Sequence, residues 1–424
     1  MKGVVRIPFS EHGITERQIC KKARTILKAL TNAGYEAYLV GGAVRDLLLN
    51  KQPKDFDIAT NAHPEQIKEV LPSTRIIGRR FRLAHVHFGR DYLEVATFRA
   101  PHDESDKGQV SNDGRIIHDN VYGTVAEDAV RRDFTINALF YDLESGDVLD
   151  FVDGMGDVKK KQLRLIGDPE TRYREDPVRM LRGIRFMAKL DFTLEAETEA
   201  PICEVSELLS QIAPARLFDE TLKLFHGGKA VVTLALLRKH ALFSCLFPLA
   251  EQSFEDDETG MFANLVVAAL RNTDKRIRSG KPVTPAFLFA VMLWHQVQEG
   301  SKVYRDSGNP ELQSVHLAAS DAFGSQVKSI AVPRRFSNVT REIWIMQGRF
   351  QFKACRRSLN FINNKRFRAA YDFMCLRAAS GEQLEDDCEW WTLIQEVDAD
   401  EQLAMCNSAK GSPRRSRSGR RRRH

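Results

Sequence analysis

The segment VGGAVRDLLLNKQPKDFDIAT, from Val40 to Thr60, combines two glycines with two closely spaced carboxylates. Residues i and i+2 of a strand point to the same face, so Asp55 and Asp57 share a face if DFDIAT is a strand. Two such carboxylates repel, and one pKa rises unless a cation joins them. Mg²⁺ takes hard oxygen ligands, and two ions bridged by paired carboxylates serve phosphoryl transfer. The alternative is an Asp-rich turn without a metal.

Two glycines precede this pair, between a predicted strand and a predicted helix. The free N–H groups and positive dipole end of a helix favour anionic phosphate, which predicts phosphate binding at Gly41 and Gly42. Arg45 lies in the first turn of that helix and is predicted to reach the same phosphates. A Gly-Gly pair alone is typical of an ordinary turn. Combined with the arginine and the two aspartates, it indicates a site for a nucleotide and a metal.

A third carboxylate would complete a metal site, and two candidates are present. Asp133 lies in EDAVRRDFTINAL and Glu94 lies in YLEVATFR. In the first string Arg131 and Arg132 could contact a triphosphate while the aspartate contacts the metal. We favour Asp133 and keep Glu94 as the alternative. A surface cluster of salt bridges is the competing interpretation of the Arg-Arg-Asp string.

The segment RYREDPVRMLRGIRF predicts a helix with a basic side. Pro177 suits the first turn and Asp176 the N-cap. A spacing of three residues separates Arg179, Arg182 and Arg185, which places them along one side of the helix. The buried face of the helix is predicted at Met180, Leu181, Ile184 and Met187. An aspartate and an arginine can read a base edge through complementary donors and acceptors. The alternative is a solvated basic face.

The elements around these residues predict an α/β head followed by an all-helical body. YEAYLV and DFDIAT are predicted strands, and hairpins are predicted at LAHVHFGRDYLEVATFR and at ALFYDLESGDVLDFV, which turns at Ser145 and Gly146. PEQIKEVLP is a predicted helix with proline in its first turn. No strand is predicted after Asp168. The polar stretch from Ala100 to Asn120 is a predicted mobile loop, for which a lid role stays open.

Composition limits the class of protein. The 424 residues, 43% of them hydrophobic, suit two to four compact units. No apolar run is long enough to span a membrane, and the N-terminus lacks a secretory signal. The seven cysteines form no Cys-x-x-Cys pair, so neither a disulfide framework nor a zinc site is expected, which favours a reducing cytoplasm. His85 and His87 could be a metal pair, but no third ligand is evident.

The C-terminal stretch KGSPRRSRSGRRRRH concentrates the basic charge. It holds eight Lys and Arg residues and no acid, so removing it changes the net charge from +6 to −2. Such a composition predicts a disordered tail that binds polyanions. The basic and aromatic string FINNKRFRAAYDF also suits single-stranded RNA, although core packing is the favoured role of Phe361, Phe367 and Tyr371.

Four motifs in this order, LVGGAVRDLLL, DFDIAT, RRDFTINAL and REDPVRMLRGIRF, resemble the nucleotidyltransferases that extend RNA 3′ ends. That group comprises the class II CCA-adding enzymes and the bacterial poly(A) polymerases. IIGRRFRLAHVHFG, PARLFDETLKLF, PAFLFAVMLW and the arginine-rich tail are more similar to the poly(A) polymerases. Ala43 stands where a third glycine is common in the group, and Glu251 to Gly260 diverges.

The resemblance implies a polymerase-β-like α+β head with a mixed sheet, an all-α body and a disordered tail. It divides the chain into a catalytic head (1–155), a helical nucleotide-recognition neck (156–250), a helical RNA-binding body (251–407) and the tail (408–424). It implies template-independent addition of AMP from ATP to single-stranded RNA 3′ ends, with two Mg²⁺ ions. It also implies a monomer without a membrane-spanning segment, located in the bacterial cytoplasm, with RNA-turnover proteins as candidate partners.

The resemblance also assigns roles to residues. The catalytic, metal-binding carboxylates would be Asp55, Asp57 and Asp133. Nucleotide binding would fall to Gly41, Gly42, Arg45, Arg131, Arg132, Glu175, Asp176, Arg179 and Arg182. RNA binding would fall to Arg79, Arg80, Arg82, Arg414, Arg415, Arg420, Arg421, Arg422 and Arg423. CCA addition to tRNA fits the same chemistry, and a non-catalytic RNA-binding adaptor is the alternative from another class. The intact carboxylate pair argues against the adaptor.

Overall fold

A computed structural model of the protein describes residues 3–78, 82–100, 121–353 and 355–409, with the side chains of 355–357 and 409 left out of the description. The chain divides into two compact units, Met1–Val205 and Ser206–His424, which we name the head unit and the body unit. The head unit contains both the carboxylate motifs and the segment with Glu175 and Arg179. The finer division into head, neck, body and tail stays a prediction.

The head unit is built on an eight-stranded sheet in the order β1-β8-β7-β2-β3-β6-β5-β4. Its strands are β1 (Val5–Ile7), β2 (Ala37–Val40), β3 (Asp57–Thr60), β4 (Thr74–Ile77), β5 (Leu83–Phe88), β6 (Asp91–Thr97), β7 (Leu139–Asp142) and β8 (Val148–Asp150). A second, two-stranded sheet pairs β9 (Gln162–Leu163) with β10 (Thr193–Leu194). β3 and β6 are parallel, whereas β2 and β3 are antiparallel, so the large sheet is mixed as predicted.

Both predicted hairpins are confirmed. β5 and β6 are antiparallel with His87 opposite Tyr92, and β7 pairs with β8 across a turn in which Gly146 has φ 75°. The short strands β1 and β4 were not predicted.

Two sequence-based expectations are wrong in detail. The backbone pairing of β3 with β2 begins at Asp57, opposite Val40, so Asp55 precedes the strand instead of belonging to it. β10 lies beyond Asp168, where no strand is predicted. Two residues are too few to produce an alternating pattern, so the sequence carries no signal for this strand.

Helices cover the sheet and continue the head unit. They are α1 (Phe9–His12), α2 (Lys21–Asn32), α3 (Gly42–Leu48), α4 (Pro64–Val70), α5 (Val125–Arg131), α6 (Gly154–Lys160), α7 (Pro169–Glu175), α8 (Val178–Leu190), α9 (Ala196–Glu199) and α10 (Ile202–Val205). α2 buries Ala23, Ile26, Leu27 and Leu30, at the helical spacing that lets one face pack on β2 and β3. α4 has proline in its first turn, as predicted.

The body unit is helical throughout its described residues. Its helices are α11 (Pro214–Phe225), α12 (Ala230–Lys239), α13 (Phe243–Leu246), α14 (Pro248–Glu255), α15 (Met261–Arg278), α16 (Pro285–Met292), α17 (Trp294–Asp306), α18 (Glu311–Gln326), α19 (Arg334–Gln347), α20 (Cys355–Ile362), α21 (Phe367–Ala379), α22 (Glu385–Leu393) and α23 (Ala399–Ala409). Phe361, Phe367 and Tyr371 are buried in an aromatic cluster with Phe350 and Trp391, which confirms that they pack in the core.

One disulfide departs from the expectation for the cysteines. Cys375 of α21 and Cys388 of α22 are joined, with Cα atoms 5.3 Å apart. The two cysteines are 13 residues apart, a separation that does not indicate a disulfide from the sequence alone. Among the described residues, none of the helices combines the length and apolar character needed to span a membrane.

Candidate active site

The two glycines form a tight turn at one end of the central strands. Gly41 follows β2 with φ 72°, a left-handed value that favours glycine. A Cβ added there would lie 3.4 Å from Arg132 Nη1 and 3.6 Å from the Asn137 carbonyl oxygen. Because Val40 pairs with Asp57, the turn starts beside the first residue of β3. The backbone therefore approaches both a cation and a carboxylate at this point.

Arg45 lies inside the protein, beneath the turn. Its side chain is buried, and its Nε and Nη2 atoms donate to Asp46 Oδ1 at 2.9 and 2.7 Å. Its Nη1 donates to Asn137 Oδ1 at 2.5 Å. The guanidinium is thus committed to internal partners, which fix α3 against the segment around Asn137.

Asp57 and Glu94 occupy matching positions on neighbouring parallel strands. The register pairs Ile58 with Val95, which places the preceding residues, Asp57 and Glu94, side by side. Desolvation by the surrounding protein is the largest cause that raises the pKa of Asp57 to about 6, although the residue keeps contact with solvent. The charges of Glu94 and Asp55 raise it further, and Arg132 opposes them. These three carboxylates therefore form a patch of negative charge that the described residues balance only in part.

Asp133 has a different environment. Its Oδ1 accepts from the Phe134 amide at 2.8 Å and from Asn137 Nδ2 at 3.3 Å. Its Oδ2 accepts from Arg182 Nη1 at 3.3 Å. The carboxylate is thus joined to a basic residue of α8 and to its own loop. No group of three or more metal-ligating side chains is assembled within the described residues, and Asp133 is not among the charges that shift Asp57.

Arg132 lies between the glycine turn and the carboxylates. Its Nε and Nη2 atoms donate to Asp128 Oδ2 at 3.0 and 2.8 Å, and its guanidinium lies 5.1 Å from the centre of the Phe140 ring. The buried Asp128 thereby aims a cation at Gly41 and Asp57. Asp128 and Asn137 were not singled out from the sequence, although both lie in the quoted string EDAVRRDFTINAL.

The predicted base-reading residues form a compact ionic network. Glu175 Oε2 accepts from Arg172 Nη1 and Arg179 Nη1, both at 2.8 Å. Arg172 also donates from Nη2 to the carbonyl oxygens of Arg131 and Arg132, at 2.8 and 2.7 Å. Desolvation and the charge of Arg179 lower the pKa of Arg172. Sequence reasoning missed Arg172, whose only signal was its place three residues before Glu175.

Two residues next to this network have local partners. Asp176 Oδ1 accepts from the Val178 amide at 3.3 Å, so its carboxylate serves the start of α8. Pro177 is the N-cap residue of α8 in place of the predicted Asp176, so the helix begins one residue later than predicted. The buried stripe is confirmed at Met180, Leu181 and Ile184.

The remaining candidates lie elsewhere or outside the described residues. Arg82 forms an ion pair with Glu65. His85 stacks on Tyr92 with ring centres 4.1 Å apart, and its Nε2 lies 3.5 Å from Glu94 Oε1. Arg79, Arg80, the segment 101–120 and the arginines of the tail lie outside the described residues.

Comparison with known proteins adds family relationships to this geometry. Residues 37–164 match the family model of the poly A polymerase head domain, and residues 307–424 match that of the polymerase A arginine-rich C-terminus. Residues 191–254 match the model described as a probable RNA and SrmB-binding site of polymerase A.

Several curated proteins are similar over most or part of the chain. Poly(A) polymerase I of Salmonella typhimurium is 44% identical over 97% of this chain and 90% of its own length. That of Haemophilus influenzae is 44% identical over 91% of this chain and 86% of its own length. A CCA-adding enzyme of Lactobacillus johnsonii is 42% identical over only 49% of this chain and 50% of its own length.

A solved structure has the same fold. The CCA-adding enzyme of Bacillus stearothermophilus in complex with CTP gives a TM-score of 0.59 at 24% identity, over 93% of this chain and 88% of its own. At that identity the likeness concerns the fold.

Proposed function

Because the chain belongs to the poly(A) polymerase family, we propose that its head unit adds AMP residues from ATP to RNA 3′ ends without a template and releases pyrophosphate. The observation that carries the proposal is the set of carboxylates formed by Asp57, Glu94 and Asp55. These carboxylates repel one another, and Asp57 lies beside the turn at Gly41. The reaction is attack of an RNA 3′-hydroxyl on the α-phosphate, for which positioning and charge stabilisation are the main needs.

We assign Mg²⁺ to Asp55, Asp57 and Glu94, which lie close enough to one another for Asp55 and Glu94 to shift the pKa of Asp57 but do not form a preassembled group of three ligands among the described residues. The donor chemistry fits: all are hard oxygen ligands, and desolvation, followed by the charges of Glu94 and Asp55, raises the pKa of Asp57, an effect that a bound divalent cation would offset. When bound, a pair of Mg²⁺ ions supplies the charge that acidifies the attacking hydroxyl and stabilises the leaving oxygen. We assign Glu94 in place of Asp133, because the Asp133 carboxylate is already paired with Arg182. Asp133 is then a positioning residue for α8.

The triphosphate would lie along the glycine turn. Gly41 allows a close backbone approach, and Arg132 offers a cation held in place by Asp128. Arg45 shapes this turn from within through Asp46 and Asn137. Arg131 would act through its carbonyl group, which anchors Arg172. Phosphate binding thus depends on one cation at the surface of the turn and on a second one that holds the turn rigid.

The adenine base would be read by the network around Glu175. The Glu175 carboxylate can accept from an amino group, and Arg179 can donate to a ring nitrogen. Arg172 and Arg179 hold Glu175 in a fixed direction, which favours one pattern of donors and acceptors. Asp176 and Arg182 support this network by fixing the start of α8 and its link to Asp133.

RNA would bind as a single strand through basic side chains, including Arg79, Arg80, Arg82 and the arginines of the tail. Affinity should then fall steeply with salt, because phosphate contacts release counterions. We place the enzyme in the bacterial cytoplasm as a monomer, with RNA-turnover proteins as candidate partners.

Primer choice tests this function. The protein is given Mg²⁺ and ATP with either oligo(A) or a tRNA ending in CC. A long, heterogeneous ladder on oligo(A) supports poly(A) synthesis. A single added A on the tRNA, with oligo(A) unchanged, would favour CCA addition instead. Binding of both RNAs without extension of either would favour the non-catalytic adaptor.

A further inference from the structure

The body unit contains a cavity of about 750 Å³, formed by parts of α17, α18, α19, α21 and α22 and the segment after α19. We name it the body cavity. Pockets of this size hold nucleotide-sized molecules. Buried apolar side chains of Trp294, Trp344, Phe350 and Met374 contribute to its wall. All of the residues that line the cavity belong to the body unit.

A buried hydroxyl in the wall has no partner. Ser301 of α17 is 4% exposed, and its Oγ makes no hydrogen bond within the described residues. Other helical serines satisfy their hydroxyls locally: Ser253 Oγ donates to the Leu249 carbonyl at 2.8 Å, and Ser307 Oγ to the Val303 carbonyl at 2.9 Å. Leaving a buried polar group unsatisfied is costly. Ser301 therefore leaves one hydrogen-bonding group of the cavity wall unsatisfied in the free chain.

A second polar group in the wall is rigidly built. Arg377 is 9% exposed, and its Nε and Nη2 atoms donate to Glu382 at 2.9 and 2.6 Å. Its Nη1 donates to Gln347 Oε1 at 2.9 Å, and its guanidinium lies 4.5 Å from the centre of the Trp294 ring. The polar part of the wall is thus preorganised, as a binding site requires.

The rim carries groups suited to a phosphate and a base. The lining includes four cationic residues, Lys302, Arg305, Arg349 and Arg377. Three of them already form ion pairs, Lys302 with Glu299, Arg305 with Glu311 and Arg377 with Glu382. Arg349 is exposed, its guanidinium lies 4.5 Å from the centre of the Phe361 ring, and among the described residues no carboxylate forms an ion pair with it. Phe352, in the same segment, leaves 46% of its surface exposed. An exposed ring beside an arginine is the combination on which single-stranded nucleic acid stacks.

We propose that the body cavity binds one nucleotide of the RNA strand, with the base against Phe352 and inside the cavity and the phosphate at Arg349. The chemistry recognised is a nucleoside monophosphate unit, within a strand or free. The proposal rests on the proposed function in one respect, that RNA is the substrate. It assigns to the body unit a contact that is independent of the catalytic carboxylates.

Binding of fluorescent oligo(A) to the full chain in EDTA tests the proposal, because extension cannot occur without Mg²⁺. We expect Phe352→Ala to weaken binding by about tenfold, the scale of one lost stacking contact. Arg349→Ala should weaken binding and lower its salt dependence. The matched controls are Leu393→Ala, which removes an apolar side chain of equal 46% exposure, and Arg368→Ala, which removes a cation already paired with Asp372. The proposal is overturned if both cavity variants bind like their controls.

Ser301→Ala separates a binding role from a structural one. Removing an unsatisfied hydroxyl should leave the thermal stability of the free chain unchanged or raised, while oligo(A) binding weakens about threefold. Ser307→Ala is the matched control. Unchanged oligo(A) affinity of Ser301→Ala would remove the hydroxyl from the proposed site. In the wild-type chain, 8-azidoadenosine in the oligo(A) should crosslink to residues 349–353, and crosslinks confined to the head unit would overturn the proposal.

Titration with AMP distinguishes the two sources of the nucleotide. Displacement of oligo(A) from the wild type by AMP, lost in Phe352→Ala, identifies free nucleotide as a second occupant. A failure of AMP to displace the strand identifies the strand as the occupant. A chain that binds oligo(A) through the body cavity yet does not extend it would overturn the proposed function and leave this inference standing.

Discussion

Asp57 and Asp133 lie in two regions of the head unit in which a carboxylate has opposite surroundings, negative neighbours around Asp57 and hydrogen-bond donors around Asp133. Desolvation, followed by the charges of Glu94 and Asp55, raises the pKa of Asp57 to about 6. Asp133 is bonded by Arg182, Asn137 and a backbone amide. A carboxylate with unbalanced negative neighbours is suited to a cation from solution, whereas one already paired is suited to hold the fold. The charge around the two carboxylates therefore predicts different roles for them, whereas the motifs predict that both are metal ligands.

Asp57→Asn should show the largest effect. The substitution replaces a negatively charged metal ligand, central among Asp55, Asp57 and Glu94, by a neutral amide. We therefore expect primer extension to fall by at least about 10³-fold. In the absence of metal the same change removes repulsion with Glu94 and Asp55, so the thermal midpoint at neutral pH should not fall. Extension assays and thermal melts in EDTA measure the two effects. Activity close to that of the wild type would refute the assignment of Asp57.

The pair of variants Glu94→Gln and Asp133→Asn tests the comparison directly. Loss of a metal ligand should lower extension by Glu94→Gln by roughly 10²-fold or more, with stability retained. Loss of the partner of Arg182 should make Asp133→Asn less stable by about 1 kcal/mol, a modest value because Arg182 is partly exposed. Its activity should fall far less than that of Glu94→Gln. The reverse order of activities would restore Asp133 as the third carboxylate.

Gly41→Ala tests the turn beside Asp57. A Cβ at φ 72° is strained, so we expect a loss of about 1 kcal/mol in the free energy of unfolding. The added methyl group would also lie in van der Waals contact with Arg132 Nη1, at 3.4 Å, and would shield this cation from a bound phosphate, so the KM for ATP should rise several-fold. Gly34→Ala is the matched control, since Gly34 has φ 87° and open space around it. If both variants change the KM equally, the turn has no particular role in phosphate binding.

Those parts of the site that are formed by neighbouring residues in the sequence were easier to predict than those formed where distant strands pair. The carboxylate pair, the glycine turn and the Glu175 segment are each contiguous, so pattern and resemblance suffice to find them. The neighbours of Asp57 depend on the register of β3 and β6, which places Glu94 beside Asp57 from a distant part of the chain. In the same way, Arg45 could not be assigned to Asn137 from spacing alone. The choice of Asp133 over Glu94 followed the motif, and pairing across strands favours the alternative.

The pH dependence is the smallest effect and the sharpest test of the charge argument. The pKa of Asp57 in the folded chain, about 6, lies above its ordinary value of 3.8, so the folded chain binds more protons than the unfolded chain between these values. Without metal, the stability should therefore fall as the pH rises from about 4 to about 6, and Asp57→Asn should flatten this slope.

Because a proton competes with Mg²⁺ for the same oxygens, the Mg²⁺ affinity should weaken as the pH falls below about 6. Calorimetric titration with Mg²⁺ at a series of pH values measures this change in affinity for the wild type and for the control variant Asp133→Asn. A midpoint near pH 6 in both the wild type and the control supports the assignment of Asp57. A Mg²⁺ affinity independent of pH from 5 to 7 would place the metal away from Asp57.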